Sequence, residues 1–231
     1  MTFLIDQKAQ ERIAGLIDAA AQRVLFNLPS HGDEEGMTAA LGQELTRHRI
    51  RAQHLRVDIR YRQHSKYTEE SNSGADGSFL VRVVTPDATV QKATLFQAKL
   101  LGGADDVRAL KMSAAEATRL QRQASNMLQH TDEAVAMFYT HKNIYVVDAG
   151  DYSASPISRT PLSQKHRLIT LGTYLGKWMP RCTKGDMDEA LVKKSMHMEG
   201  FKHGLTLDVV SQHPAVRWEN DQAEDAWRRK G

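Results

Sequence analysis

Apolar residues recur at helical spacing over residues 5–26, where Ile13, Leu16, Ile17, Ala20 and Val24 share one stripe. Leu28-Pro29-Ser30-His31-Gly32 interrupts that pattern. A second helix is predicted from about Glu34 to His48, with Met37, Leu41 and Leu45 four apart. The period then switches to two. Leu55, Val57, Ile59 and Tyr61 alternate with Arg56, Asp58, Arg60 and Arg62, the signature of a half-buried strand with one basic face. Residues 63–75 are polar and turn-rich. Phe79 to Val84 and Ala93 to Leu101 read as two strands about the turn Thr85-Pro86-Asp87-Ala88, so 76–100 is predicted to be a hairpin. Gly102-Gly103 ends it, and Val107 to Leu128 carries the longest helical stripe: Val107, Leu110, Ala114, Ala117, Ala124 and Leu128. Ala134–Tyr139 and Ile144–Val147 are predicted as short strands about the turn Thr140-His141-Lys142-Asn143.

Through residue 140 the order is helix, three strands, helix, strand. This predicts an α/β chain with a mixed central sheet flanked by helices. Three units follow: an N-terminal helix over 1–30, a core over 31–150 and a C-terminal extension over 151–231, packed on the core. In the extension the signal weakens; Leu168 to Trp178 is a candidate helix and the last dozen residues read as a polar tail.

Composition narrows the class. The 231 residues are 41% hydrophobic and 26% charged, enough apolar side chains for a core and too many for a disordered chain. No apolar run approaches the roughly 20 residues a membrane helix needs, and the first residues lack the pattern of a secretory leader, so no membrane association and a cytoplasmic location are expected. A single cysteine, Cys182, excludes an internal disulfide framework and a cysteine zinc site. The formal net charge of +3 is too mild to identify a polyanionic partner. Its distribution says more, because Arg47, Arg49, Arg51, Arg56, Arg60, Arg62 and Lys66 face only Asp58. Such a stripe is a footprint of phosphate binding and equally the composition of a solvated strand face; composition alone favours the latter.

The candidate chemistry sits in Ser73-Gly74-Ala75-Asp76-Gly77-Ser78 and Phe96-Gln97-Ala98-Lys99. Gln97 and Lys99 are two apart on a predicted strand and share a face, while Phe96, Ala98 and Leu100 take the other. Asp76 opens the partner strand and can lie across from them. Glu34 or Glu35, at the start of the second helix, can bring another carboxylate to the same sheet end. Carboxylate and carbonyl oxygens suit Mg²⁺, and an ammonium beside them can orient a water and stabilise charge growing on a phosphorane. Taken singly, each residue is more readily a turn or exposed-strand residue; together they favour a site. Elsewhere His31-Gly32-Asp33-Glu34-Glu35 lacks the spacing of a zinc protease, and no Gly-x-Ser-x-Gly elbow or Walker loop occurs.

Asp76 followed by Gln97-Ala98-Lys99, within helix, three strands, helix and strand, resembles the PD-(D/E)xK restriction-endonuclease-like superfamily. The glutamine form resembles its Mrr-like branch and nuclease domains of anti-phage defence systems. The resemblance spans about residues 33–149. It implies a restriction-endonuclease-like core of αβββαβ order with a C-terminal extension. It also implies that Asp76 is the principal metal ligand, that Gln97 and the Ala98 carbonyl complete the metal site, and that Lys99 attends the attacking water. Glu35, in preference to Glu34, would match the acid some members carry on the helix, and Gln123, in preference to Gln121, the glutamine related families carry near the site. Ala75 stands where many members have proline, and neutral Gln97 implies weaker metal binding. The function so implied is a Mg²⁺- or Mn²⁺-dependent endonuclease cutting DNA in prokaryotic defence or restriction, as a homodimer or with an ATPase or sensor partner. Arg56, Arg60 and Arg62 would contact phosphates or neighbouring acidic groups. Two other readings stay open: an RNA-cleaving nuclease with the same chemistry, and a catalytically inactive interaction subunit of a defence complex.

Overall fold

The computed structural model describes residues 2–27, 33–64, 73–101, 112–154, 166–181 and 184–217. Helix α1 (Gln7–Phe26) starts where the Asp6 carboxylate accepts a hydrogen bond from the Ala9 amide at 2.8 Å. Its stripe of Ile13, Ile17, Ala20 and Val24 is buried as the spacing predicts. Helix α2 (Glu34–Thr46) is capped by Asp33, which accepts from the Gly36 amide at 2.7 Å, and it buries Met37, Leu41 and Leu45. The hairpin of β2 (Arg49–Ala52) and β3 (Leu55–Gln63) follows. Then come β4 (Gly77–Val84) and β5 (Thr89–Leu100), paired antiparallel as expected. Helix α3 (Ala114–Met127) carries β5 over to the parallel strand β6 (Ala134–Tyr139), which turns into β7 (Ile144–Asp148). The predicted helix start, 107–111, lies outside the described residues.

The chain continues through α4 (Ala149–Ala154), the short strand β8 (Ile169–Thr170) and the single turn α5 (Leu171–Thr173). A π turn (Tyr174–Trp178) and a 3-10 turn (Met179–Arg181) extend α5, so the candidate helix at Leu168 to Trp178 is a strand end and mixed helical turns. After α6 (Glu189–His197), β9 (His203–Ser211) enters the main sheet. A separate two-stranded ribbon joins β1 (Thr2–Phe3) to β10 (Val216–Arg217). Among the described residues no helix is long and apolar enough to cross a membrane.

The result is an α/β fold with an eight-stranded mixed sheet in the order β2-β3-β9-β4-β5-β6-β7-β8. One correction matters for everything below. β9, from the C-terminal extension, lies between β3 and β4, antiparallel to the first and parallel to the second. Residues beyond 150 thus supply a central strand of the sheet as well as helical turns packed on it. The three core strands are not consecutive neighbours, because β9 fills the gap with Leu205, Leu207 and Val209 on one face.

Helices α1 and α2 and the 171–181 turns cover that face, over Val57, Phe79, Phe96, Ala98 and Met137. Helices α3, α4 and α6 cover the other, over Leu80, Leu95, Ala136 and Phe138. The buried Lys92 ties the π and 3-10 turns to β5 by donating to the Met179 and Lys184 carbonyls at 2.9 and 3.1 Å.

Candidate active site

Five segments converge at one end of the sheet: the start of α2, the residue before β4, the end of β5, the start of β9 and the face of α3. Their side chains enclose a cavity of about 180 Å³ lined by Glu34, Glu35, Thr38, Asp76, Gln97, Lys99, Arg119, Lys202 and His203. Asp76, Gln97 and Lys99 are therefore brought together.

Backbone packing fixes Asp76. Its amide donates to the Phe96 carbonyl at 2.9 Å, and its carbonyl accepts from the His203 amide at 3.1 Å, so β5 and β9 clamp it from both sides. Gly74 approaches α3 with φ +71°, and a Cβ there would lie 2.6 Å from the Gln123 carbonyl oxygen. Buried Ala75 anchors the loop in the α3-side core. Gly77 completes the clamp, since a Cβ there would stand 2.3 Å from the His203 carbonyl oxygen and 2.5 Å from the Phe96 ring. Gly77→Ala is accordingly expected to cost about 2–3 kcal/mol, the upper range for overpacking, because backbone on β9 must move. A urea midpoint equal to that of the parent protein would refute this account of the clamp.

Gln97 and Lys99 are almost fully buried, on the α3 side of β5, while Phe96 and Ala98 face the α1 and α2 side. The Asp76 carboxylate accepts from the Gln97 side-chain amide at 2.5 Å and from the Ala98 backbone amide at 2.8 Å. Burial pushes its pKa up to about 6, against the opposing pull of the Ala98 amide, Lys99 and Gln97. Its two donors and the nearby ammonium do not fully replace lost hydration. A buried carboxylate in that condition is a cation-seeking group.

The Lys99 ammonium donates to Glu34 Oε2 at 2.8 Å, and Glu34 Oε1 accepts from the Leu100 amide at 3.2 Å. The helix acid that reaches Lys99 is thus Glu34, not Glu35. The reason is helical phase: Glu34 precedes Thr38, Leu41 and Leu45 on the buried stripe, whereas Glu35 is turned outward to Lys202 and Gln63. Gln123 is also displaced from its expected place. It packs against Gly74 rather than lining the cavity, and its buried side-chain oxygen has no partner, while Gln121 donates to the Ser153 carbonyl. The residue α3 sends to the cavity is Arg119, two turns along from the Ser113 cap. Among the described residues it has no carboxylate within ion-pair distance.

Lys202 and His203 were not anticipated, because no strand was predicted there. The His203 Nδ1 and the Tyr61 hydroxyl are 2.7 Å apart. Burial pulls the His203 pKa down to about 4 and pushes that of Tyr61 up, so near neutral pH the imidazole is uncharged and the phenol keeps its proton. Thr38, also on the rim, accepts from the buried Tyr139 hydroxyl at 2.9 Å. Cys182 lies outside the described residues.

The three arginines of the basic strand lie at different distances from freedom. Arg56 is held by Asp58 at 2.7 Å and Arg60 by Asp208 at 2.6 Å, while exposed Arg62 has no carboxylate partner among the described residues.

Among the described residues no three histidine, cysteine, aspartate or glutamate side chains gather as a metal cluster. The oxygens on hand for a cation are the Asp76 carboxylate and the Ala98 carbonyl, which accept from the Gln97 side-chain nitrogen at 2.5 and 3.3 Å, so Gln97 would add its own oxygen only with its amide turned over. Such a set suits a hard ion that retains several waters, and not zinc. No protein-family model, curated protein or solved structure matches the chain.

Proposed function

We propose that this protein is a divalent-cation-dependent nuclease that hydrolyses DNA phosphodiester bonds, with the restriction-endonuclease-like arrangement its motifs resemble. The observation that carries this reading is the gathering of Asp76, Gln97 and Lys99, 21 and 23 residues apart in sequence at most, around one small polar cavity with Glu34 across from the lysine.

The buried Asp76 carboxylate and the Ala98 carbonyl would hold Mg²⁺ or Mn²⁺, joined by the Gln97 amide oxygen once that side chain turns over. When bound, the ion would polarise a phosphoryl oxygen and acidify a water. The chain's own residues do the rest. Lys99 orients the attacking water and offsets charge building on the phosphorus-bound oxygens. Glu34, already sharing a proton-rich contact with Lys99, is placed to accept the proton that water gives up. The water oxygen bonds to phosphorus as the bond to the leaving sugar oxygen breaks, and that oxygen is protonated from solvent. Arg119 meets a flanking phosphate at the cavity mouth. His203, uncharged and held by Tyr61, shapes one wall without adding charge.

The test is incubation of purified protein with supercoiled plasmid and, in parallel, a structured RNA of similar length, with Mg²⁺, Mn²⁺ or chelator. Nicked or linear plasmid that depends on added metal is expected. Cleavage of RNA alone would replace the substrate and keep the chemistry. No scission of either polymer with either metal would overturn the enzymatic reading and leave an interaction subunit built on the same fold.

A further inference from the structure

The face of β2 and β3 turned away from α1 and α2 is an arginine sheet, which continues onto β9 and β4 past α6, the helix that covers Leu80 on that same face. Strand register places Arg49 beside Asp58 and Arg51 beside Arg56, and Arg56, Arg60 and Arg62 continue along β3 on that same face. β9 and β4 then bring Asp208 and Arg82 onto it in one rung with Asp58. All six arginines are exposed. They answer to two aspartates. Asp58 takes Arg51 at 2.5 Å and Arg56 at 2.7 Å, and Asp208 takes Arg60 at 2.6 Å. Arg49, Arg62 and Arg82 have no carboxylate within ion-pair distance among the described residues. The opposite face of these strands is apolar core under α1 and α2, so the basic side chains are not there to satisfy packing.

We propose that this arginine face is a binding platform for the phosphate backbone of duplex DNA, which it delivers to the Asp76 cavity. Three observations support that occupant. The charge is carried entirely by arginine on strands, whose planar guanidinium matches phosphate in a bidentate manner. The aspartates hold three of the guanidinium groups in place, and a polyanion that meets pre-ordered groups loses less side-chain entropy on binding. Among the described strand residues the face presents no aromatic ring, because Tyr61 turns to the inner side, and a single strand would require stacking platforms that these residues do not supply. Backbone-only contact fits a duplex read by charge and shape.

The platform is continuous with the site. Arg62 pairs in register with Gly204, one rung from Gln63 and His203, and His203 lines the cavity beside Asp76. The proposal rests on the nuclease reading for what happens at the cavity, but the binding itself does not need metal.

The experiment uses the full chain in chelator, so that no cleavage enters the readout. Fluorescence anisotropy follows a short labelled duplex from about 50 to about 200 mM salt. The variant is the triple Arg49→Ala, Arg62→Ala, Arg82→Ala, chosen because none of the three holds a carboxylate. A Lys8→Ala, Arg12→Ala, Arg23→Ala variant on α1 removes the same three charges and controls for net charge. The triple variant is expected to bind the duplex at least roughly tenfold more weakly, with the slope of log affinity against log salt reduced by about 3, and to keep the parent's unfolding midpoint. Unchanged affinity, an equal loss in the α1 variant, or tighter binding of single strands or RNA duplex would overturn it. If duplex binding follows the arginines but metal brings no cleavage, the platform stands and the nuclease reading falls. Metal-dependent cleavage that is indifferent to the triple variant gives the reverse.

Discussion

Lys99→Ala is expected to abolish metal-dependent strand cleavage, with a loss on the order of a thousandfold in rate, while the fold survives. The magnitude follows from what the ammonium is asked to do. Removing a single preorganised charge that meets developing negative charge costs about 10²–10³, and a lost proton-transfer arrangement adds to this. On the proposed mechanism Lys99 serves both roles, since it would face the reacting phosphate and it holds Glu34. It also lowers the Asp76 pKa through its charge, so its removal leaves the carboxylate more reluctant to ionise and weakens the cation site as well. The fold should tolerate the change because Glu34 remains partly exposed and keeps its bond from the Leu100 amide. Far-ultraviolet circular dichroism and the urea midpoint establish folding, and plasmid cleavage with Mn²⁺ gives the rate. Lys99→Arg should fail to rescue, because a planar, delocalised guanidinium does not replace the compact ammonium that donates to Glu34 and would face the water. Cleavage by Lys99→Ala within a few-fold of the parent would remove Lys99 from the chemistry.

The site was legible where its residues obey strand period. Gln97 and Lys99 share a face because they are two apart, and that is independent of what the rest of the chain does. Asp76 was legible because the hairpin that joins it to Gln97 is local. Helix phase also carried usable information: Glu34 lies seven residues before Leu41, on the stripe that Leu41 and Leu45 define, and that spacing favours it over Glu35. What was not legible is β9. Leu205, Leu207 and Val209 do alternate with Thr206 and Asp208, yet no strand was predicted there. The position of β9 between β3 and β4 is set by pairing across at least 140 residues of chain for β3 and more than 120 for β4. No local pattern encodes which gap a strand fills. The consequence reached the site, because Lys202 and His203 enter it from β9, and the clamp on Asp76 is half made by His203. The arginine stripe shows the same limit. Its alternation was visible along β3, but Asp208, which restrains Arg60, and Arg82, which widens the face, come from strands that register alone brings alongside.

Asp76→Asn should stabilise the metal-free protein at neutral pH and erase its response to Mg²⁺. In the folded chain burial raises the Asp76 pKa from 3.8 to about 6. Between those values the native state binds more protons than the unfolded state, so stability falls as pH rises through the window. Below about pH 4 the group is protonated in both states and contributes nothing. Above about pH 6 it is ionised in both, and the native state carries the full cost, about 3 kcal/mol for a shift of about two units. The residue as a whole is only partly buried, yet the carboxylate is enclosed by Gln97 and Ala98, so most of that figure should survive. Asparagine can turn its oxygen to the same two donors without the charge, which predicts a gain of about 1–3 kcal/mol at pH 7 and none at pH 4. A divalent cation binds the ionised form alone. Added Mg²⁺ should therefore raise the parent's melting temperature little at pH 5 and progressively more toward pH 8, and should leave Asp76→Asn unmoved at every pH. Differential scanning fluorimetry across that range, with and without Mg²⁺, reads both effects without recourse to activity. An equal Mg²⁺ response in parent and variant would place the cation elsewhere, and a variant less stable than the parent at pH 7 would mean that the Asp76 carboxylate is compensated rather than waiting for a partner.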